Sequence, residues 1–202
     1  MPTLTLYGPP NIPFLTKVRA ALGLKKLPYD WVVPEGPEDY KRYSPRTGLL
    51  PSLRIDGEII EDSSVILDEL DARFPEPPLL SSDPKIARSQ KQLERWAEAA
   101  FMFYWIHYLQ EIAETGRAAP HSSGMAREFA QRLDDLVNFL GGRPFFYSDR
   151  PGRADLAVYS FLAGVGFAVG DEVASEVAAR PPLAALLKRV GQETGVHIAD
   201  AP

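Results

Sequence analysis

Three stretches of the chain join residues that bind polar groups to local sequences that expose backbone. After Tyr7, Gly8-Pro9-Pro10 stops a strand, and a helix start at Asn11 to Pro13 presents backbone N–H groups at a positive helix end. Leu50-Pro51-Ser52 sets a proline directly before a strand, where it has no N–H to give to a ladder, and a cis bond there exposes the preceding backbone to a ligand. Asp62-Ser63 opens a second helix, where amides and a hydroxyl can hold a carboxylate. Chemistry on a protein thiol is excluded, because the chain has no cysteine to form a disulfide, a thiolate metal site or a nucleophile. His107, His121 and His197 do not cluster in sequence, so no metal site is expected.

The elements that must position these stretches follow from periodicity. Thr3 to Tyr7 alternates as a strand. Phe14, Leu15, Val18, Ala21 and Leu22 have helical spacing, and Gly23 closes that helix. Tyr29 to Val33 reads as a second strand, so the three elements form a crossover that usually joins parallel strands. Pro34 to Gly48 is expected to be loop with at most one helical turn. Ser52 to Ile55 and Ile59-Ile60 flank Asp56-Gly57, a strong hairpin signal. Val65, Ile66, Leu67 and Leu70 give the helix begun at Asp62 a buried face.

Beyond Pro75-Glu76-Pro77-Pro78 the strand signals fade. Helical patterns run over 85–114, 125–140, 154–168 and 182–190. The expected organisation is an α/β domain over 1–76, a linker over 77–84 and an all-helical domain over 85–202. A hydrophobic share of 45% suffices for two small cores, and the net charge of −5 with scattered Lys and Arg argues against nucleic acid. No apolar stretch approaches the roughly 20 residues of a membrane span, and 1–7 lacks a basic and apolar leader pattern. A cytoplasmic protein is therefore expected.

Taken in order, these motifs resemble the soluble glutathione transferase family, a thioredoxin-like domain joined to a helical one. The resemblance rests on Leu50-Pro51, the Asp56-Gly57 hairpin and Asp62-Ser63-Ser64-Val65-Ile66, which is similar to the family's acidic–Ser–x–Ala–Ile signature. Pro13 to Arg19 resembles the first helix of many bacterial members. Pro151-Gly152-Arg153-Ala154-Asp155 resembles a Pro-Thr-x-Ala-Asp helix start, and Arg180-Pro181-Pro182-Leu183 the start of the final helix. The resemblance implies that the γ-glutamyl carboxylate of glutathione binds at Asp62-Ser63, and that its cysteinyl backbone pairs with Leu50, held by a cis Pro51. It implies Lys41, with Arg46 as substitute, as partner of the glycyl carboxylate. It also implies that the helix carrying Tyr104 and Tyr108 lines a hydrophobic substrate pocket shared with Phe14, and that the protein is a homodimer. Asp155 falls at a family position that caps a helix.

One departure matters for chemistry. The family usually places Ser, Cys or Tyr at the glutathione sulfur, whereas Ile12 stands directly before Pro13 here. Lowering a thiol pKa by two units from about 8.5 requires roughly 2.7 kcal/mol. One hydrogen bond to a charged group gives about 1.5–3 kcal/mol and a helix end about 0.3–1. An amide donor from Asn11 plus the helix end therefore suffices, and the Tyr7 phenol is the other candidate. The competing readings are that Asn11 only caps the helix and that Tyr7 packs in the sheet. Three functions are consistent with the sequence: thiolate attack of glutathione on an apolar electrophile in detoxification, glutathione-dependent reduction or isomerisation without protein cysteine, and non-catalytic binding.

Overall fold

The alternating Thr/Leu run forms β1 (Leu4–Tyr7), and the period-3.6 run forms α1 (Pro13–Leu24). The chain continues through β2 (Asp30–Val32), α2 (Pro37–Tyr43), β3 (Ser52–Ile55), β4 (Glu58–Glu61) and α3 (Ser63–Arg73). The computed structural model describes residues 2–10, 12–115, 123–169 and 171–197. The sheet order is β2-β1-β3-β4, with β1 parallel to β2 and the other pairs antiparallel. The crossover through α1 enforces the parallel pair. Asp56 (φ 49°) and Gly57 (φ 94°) both take the left-handed conformations that a tight two-residue hairpin requires. On α1, Leu15, Val18, Ala21 and Leu22 are fully buried, as are Ile66, Leu67 and Leu70 on α3. Each large member of such a set contributes roughly 1.5–3 kcal/mol.

Two expectations for this unit need correction. The stretch expected as loop contains α2, two turns long, with Pro37 at its start, Glu38 and Asp39 in its first turn and Lys41 and Arg42 in its last. These end signals favour a helix, but none of its residues is buried, so the apolar stripe that reveals a helix in sequence is missing. Gly23 does not close α1, which runs on to Leu24 and is capped by Lys25. A side chain at Gly23 would collide with the Thr194 carbonyl, so the residue is glycine for close approach.

Lys25 is a buried anchor. Its Nζ donates to Asp71 Oδ1 at 2.7 Å, the Phe74 carbonyl at 2.7 Å and the Pro77 carbonyl at 2.8 Å, and Leu79 N–H donates to Asp71. The chain after α3 is thus tied to the first unit, which runs through Leu79 and also takes in the segment from Gln192 onward.

The second unit, Leu80–Gly191, is helical. Its elements are α4 (Pro84–Thr115), α5 (Ser123–Leu140), α6 (Arg153–Val169), α7 (Asp171–Ala178) and most of α8 (Pro181–Thr194). The short α7 adds to the four helical patterns read from sequence. Phe101, Leu133, Leu136, Phe146 and Phe161 form its core. Between α4 and α6, Arg153 pairs with Glu94 through Nε–Oε2 at 2.8 Å and Nη2–Oε1 at 3.3 Å, both side chains 2% exposed. Asp155 accepts N–H bonds from Gly152 (2.8 Å) and Phe146 (2.9 Å), which closes the start of α6 as a capping box does. Among the described residues no helix is long and apolar enough to cross a membrane. This α/β unit of thioredoxin-like topology followed by an all-helical unit is the fold that the sequence motifs imply.

Candidate functional site

The strand register brings the three polar stretches to one end of the sheet. Tyr7 pairs with Ser52, and Ser52 pairs with Glu61. The chain leaving β1 for α1, the Leu50-Pro51 step before β3 and the turn from β4 into α3 therefore lie side by side. The Leu50–Pro51 bond is cis. Gly8 is close enough that an added Cβ would come 2.6 Å from Leu15 Cδ1 and 3.7 Å from Pro51 Cα. Leu50 is half-buried, and among the described residues neither its N–H nor its C=O has a backbone partner. Paired backbone is the rule in folded chains, so this residue offers one donor and one acceptor of the kind that an extended peptide can pair with.

The loop that carries Leu50 is clamped by a buried carboxylate. Glu61 accepts the Arg46 N–H through Oε1 at 2.9 Å and the Thr47 N–H through Oε2 at 2.8 Å. Ser44 and Thr47 share a hydroxyl bond at 2.8 Å, and Ser52 Oγ donates to the Tyr43 carbonyl at 2.6 Å. Burial raises the pKa of Glu61, but the two backbone N–H groups and the Thr47 and Ser44 hydroxyls outweigh it and hold the carboxyl down to about 2. A folded-state pKa below the unfolded value near 4.5 means that this stabilisation is present above pH 4.5 and lost as pH falls toward 2. Glu61→Gln removes the charge and one acceptor, and is expected to cost about 1.5–3 kcal/mol near neutral pH. Denaturant titrations should show that gap closing as pH falls from 4.5 to 2. A pH-independent gap would contradict the clamp.

At the start of α3, Asp62 is the N-cap in a strained backbone conformation, φ 78° and ψ 124°. Its Oδ1 accepts from the Ser64 N–H at 2.8 Å and the Val65 N–H at 3.1 Å. Ser63 is the first helical residue and 6% exposed, and no described residue hydrogen-bonds its hydroxyl. From below, the buried Lys17 of α1 donates from Nζ to Ser64 Oγ at 3.1 Å.

The other expected site residues fall as follows. Tyr7 is 4% exposed, its ring stacked on Tyr43 of α2 at 4.4 Å and 19°, with the Arg54 guanidinium 5.3 Å from its centroid. Its ring is thus engaged by Tyr43 and Arg54, the packing alternative. Asn11 lies outside the described residues. The N-cap of α1 is Ile12, which offers no side-chain cap. Lys41 is exposed on α2, its Cε and Nζ lying against Gly48 (φ 70°), where an added Cβ would stand 3.1 Å away. Arg46 stands 3.8 Å from Glu61 with its side chain 73% exposed. Phe14 is half-buried on α1.

In the helical unit, the structure sets Tyr104 in the core. It is 3% exposed and packs on Phe129 at 5.1 Å and Phe103 at 5.4 Å, and burial followed by the nearby Glu128 raises its pKa. Of the consecutive aromatics, Phe103 is the one turned outward, at 57% exposure. The Tyr108 side chain lies outside those described. Sequence reading passed over Glu61 and Lys17. The signal for Lys17 was a lysine lying within the apolar stripe of α1, three residues after Phe14 and four before Ala21.

A family profile described as the glutathione S-transferase N-terminal domain matches residues 6–78. The chain is 31% identical over 156 residues to maleylacetoacetate isomerase of Pseudomonas aeruginosa, covering 69% of this chain and 71% of that protein. It is 33% identical over 168 residues to probable maleylacetoacetate isomerase 1 of Drosophila melanogaster, covering 78% and 66%. Among solved structures, a glutathione S-transferase of Methylobacterium radiotolerans in complex with glutathione sulfonate superposes with a TM-score of 0.78 at 27% identity, covering 99% of this chain and 96% of the other.

Proposed function

This chain belongs to the glutathione S-transferase family, and from that premise we propose that it binds glutathione at the end of the sheet and activates it as thiolate for attack on an apolar electrophile. The observation that carries the reading is the backbone of Leu50, which has no backbone partner among the described residues, at the same end of the sheet as the Asp62-Ser63 turn. In this reading the cysteinyl backbone of glutathione pairs with the Leu50 N–H and C=O, as an added strand does. The γ-glutamyl carboxylate takes the hydroxyl and backbone N–H of Ser63 at the start of α3. The carboxylate of Asp62 faces the ligand's ammonium group, and Lys41 takes the glycyl carboxylate, with Arg46 as substitute. The sulfur then lies toward the start of α1.

Thiolate stabilisation in this account comes from the helix end together with the amide of Asn11. Tyr7 is stacked and buried, so Tyr7→Phe is expected to leave turnover within about twofold, a hydrogen bond worth about 1.5–3 kcal/mol being absent from the reacting sulfur. A tenfold loss would return the phenol to the chemistry. On α4, the outward-facing Phe103 is a better candidate for contact with an apolar substrate than the buried Tyr104. A cytoplasmic, homodimeric protein with a detoxifying role belongs to the same reading.

A second reading, glutathione-dependent isomerisation, is favoured by the names of the two curated relatives. It uses the same thiolate but returns glutathione unconsumed, because the sulfur adds to the substrate and then leaves again. Following free thiol during turnover separates the two. Conjugation of a chlorodinitrobenzene consumes one thiol per product, whereas isomerisation of maleylacetoacetate consumes none. Activity on the first alone supports the transferase, and activity on the second alone supports the isomerase. Activity on neither while glutathione still binds would favour a non-catalytic member.

A further inference from the structure

A cavity of about 440 Å³ opens on the helical unit where the end of α5 and the loop after it meet α8, a volume in the range that holds a small molecule. Leu140, Pro144, Pro182 and Ala185 give it an apolar wall, and its charged members are Arg143 and Arg189. No acidic residue lines it, in a chain whose net charge is −5.

Both guanidiniums are held in place. Arg143 donates from Nε to the Leu140 carbonyl at 3.1 Å and from Nη2 to the Phe139 carbonyl at 2.8 Å. Arg189 donates from Nε at 3.2 Å and from Nη2 at 2.7 Å to the Pro144 carbonyl. An aromatic ring backs each of them, Tyr147 at 5.3 Å from Arg143 and Phe145 at 5.6 Å from Arg189. Tyr147 takes φ 61°, a backbone conformation rare for a bulky residue. Capping the last turn of α5 accounts for the Arg143 bonds, but not for a second cation that reaches the same loop from α8. Among the described residues neither guanidinium has a carboxylate within ion-pair distance. Carbonyls are neutral, so they orient the two cations, and the C-terminal end of α5 offsets only part of one charge.

We propose that this cavity binds a phosphate monoester that carries a compact apolar group. Two guanidiniums and no lining carboxylate suit a dianion, which a phosphate monoester approaches at neutral pH. On each arginine the edge formed by Nε and Nη2, a fork that can grip a planar carboxylate, is already occupied by carbonyls. The Nη1 hydrogens remain, and single donors from two arginines suit the three oxygens of a phosphoryl group. The apolar wall takes the rest of the ligand. Every residue used belongs to the helical unit, so the site stands apart from the glutathione reading.

Calorimetric titration of the intact chain with phenyl phosphate tests the site, with phenol and inorganic phosphate as the two halves of the probe. Phenyl phosphate is expected to bind one-to-one with a Kd below about 1 mM, and each half at least about tenfold more weakly. Raising NaCl from about 0.05 to about 0.5 M should weaken binding several-fold by screening. Arg143→Gln and Arg189→Gln should each weaken it about tenfold, through loss of a charge-assisted contact. Ala185→Glu keeps both arginines and their carbonyl bonds while setting a carboxylate in the cavity. It should abolish binding at millimolar ligand, and it carries the test if an arginine variant does not fold. Saturating glutathione should leave the affinity within about twofold. No binding, binding unmoved by Ala185→Glu, or displacement by glutathione would overturn the assignment and leave the two arginines as clasps of the loop between α5 and α6.

Discussion

Replacing Asp62 by glycine is expected to weaken glutathione binding by about 10- to 100-fold while leaving the chain folded. Two opposing effects act on the folded state. Glycine adopts φ 78° without penalty, which relieves strain of roughly 1–3 kcal/mol. Loss of the side-chain cap on the Ser64 and Val65 amides costs about 0.5–2 kcal/mol. These nearly cancel, so the melting temperature should move by only a few degrees. Binding has no such compensation, because the carboxylate proposed to face the ligand's ammonium group is gone. Unchanged affinity in Asp62→Gly would mean that the residue is only a helix cap. A collapse in stability with no change in affinity would point the same way.

The second large effect is on stability. Glu94→Ala should cost about 3–5 kcal/mol, because it leaves the Arg153 guanidinium buried without its bidentate partner. Replacing both members together, as Glu94→Leu with Arg153→Met, should recover most of that loss. A buried ion pair is costly to break but little better than apolar packing of similar volume. Chemical denaturation of the two variants checks both statements. A single variant as stable as the double would mean that water or another residue reaches Arg153.

Much of this was legible because the signals are local. The hairpin followed from Asp56-Gly57, whose left-handed backbone few other pairs tolerate. The start of α3 followed from Asp62, which caps it as its side chain allows. The helix α2 escaped notice because it buries nothing, and burial is what writes periodicity into a sequence. The glycine at 23 was misread for a similar reason. Its neighbour, Thr194, is remote in sequence, so no local pattern announces the contact. Tyr7 had two open readings at the sequence level because strand alternation fixes which face a residue occupies but says nothing of what lies over it. Tyr43, on the unforeseen α2, lies over it. Glu61 and Lys17 act on residues 14 or more positions away, which explains why neither stood out among the motifs.

Calorimetric titration of the intact chain with reduced glutathione tests the central claim most directly. The account predicts saturable one-to-one binding that Ser63→Ala weakens about tenfold, through loss of a hydroxyl bond to a charged group. Absence of binding at millimolar glutathione would contradict it, and the Asp62-Ser63 turn would then be a feature of the fold with no ligand to hold.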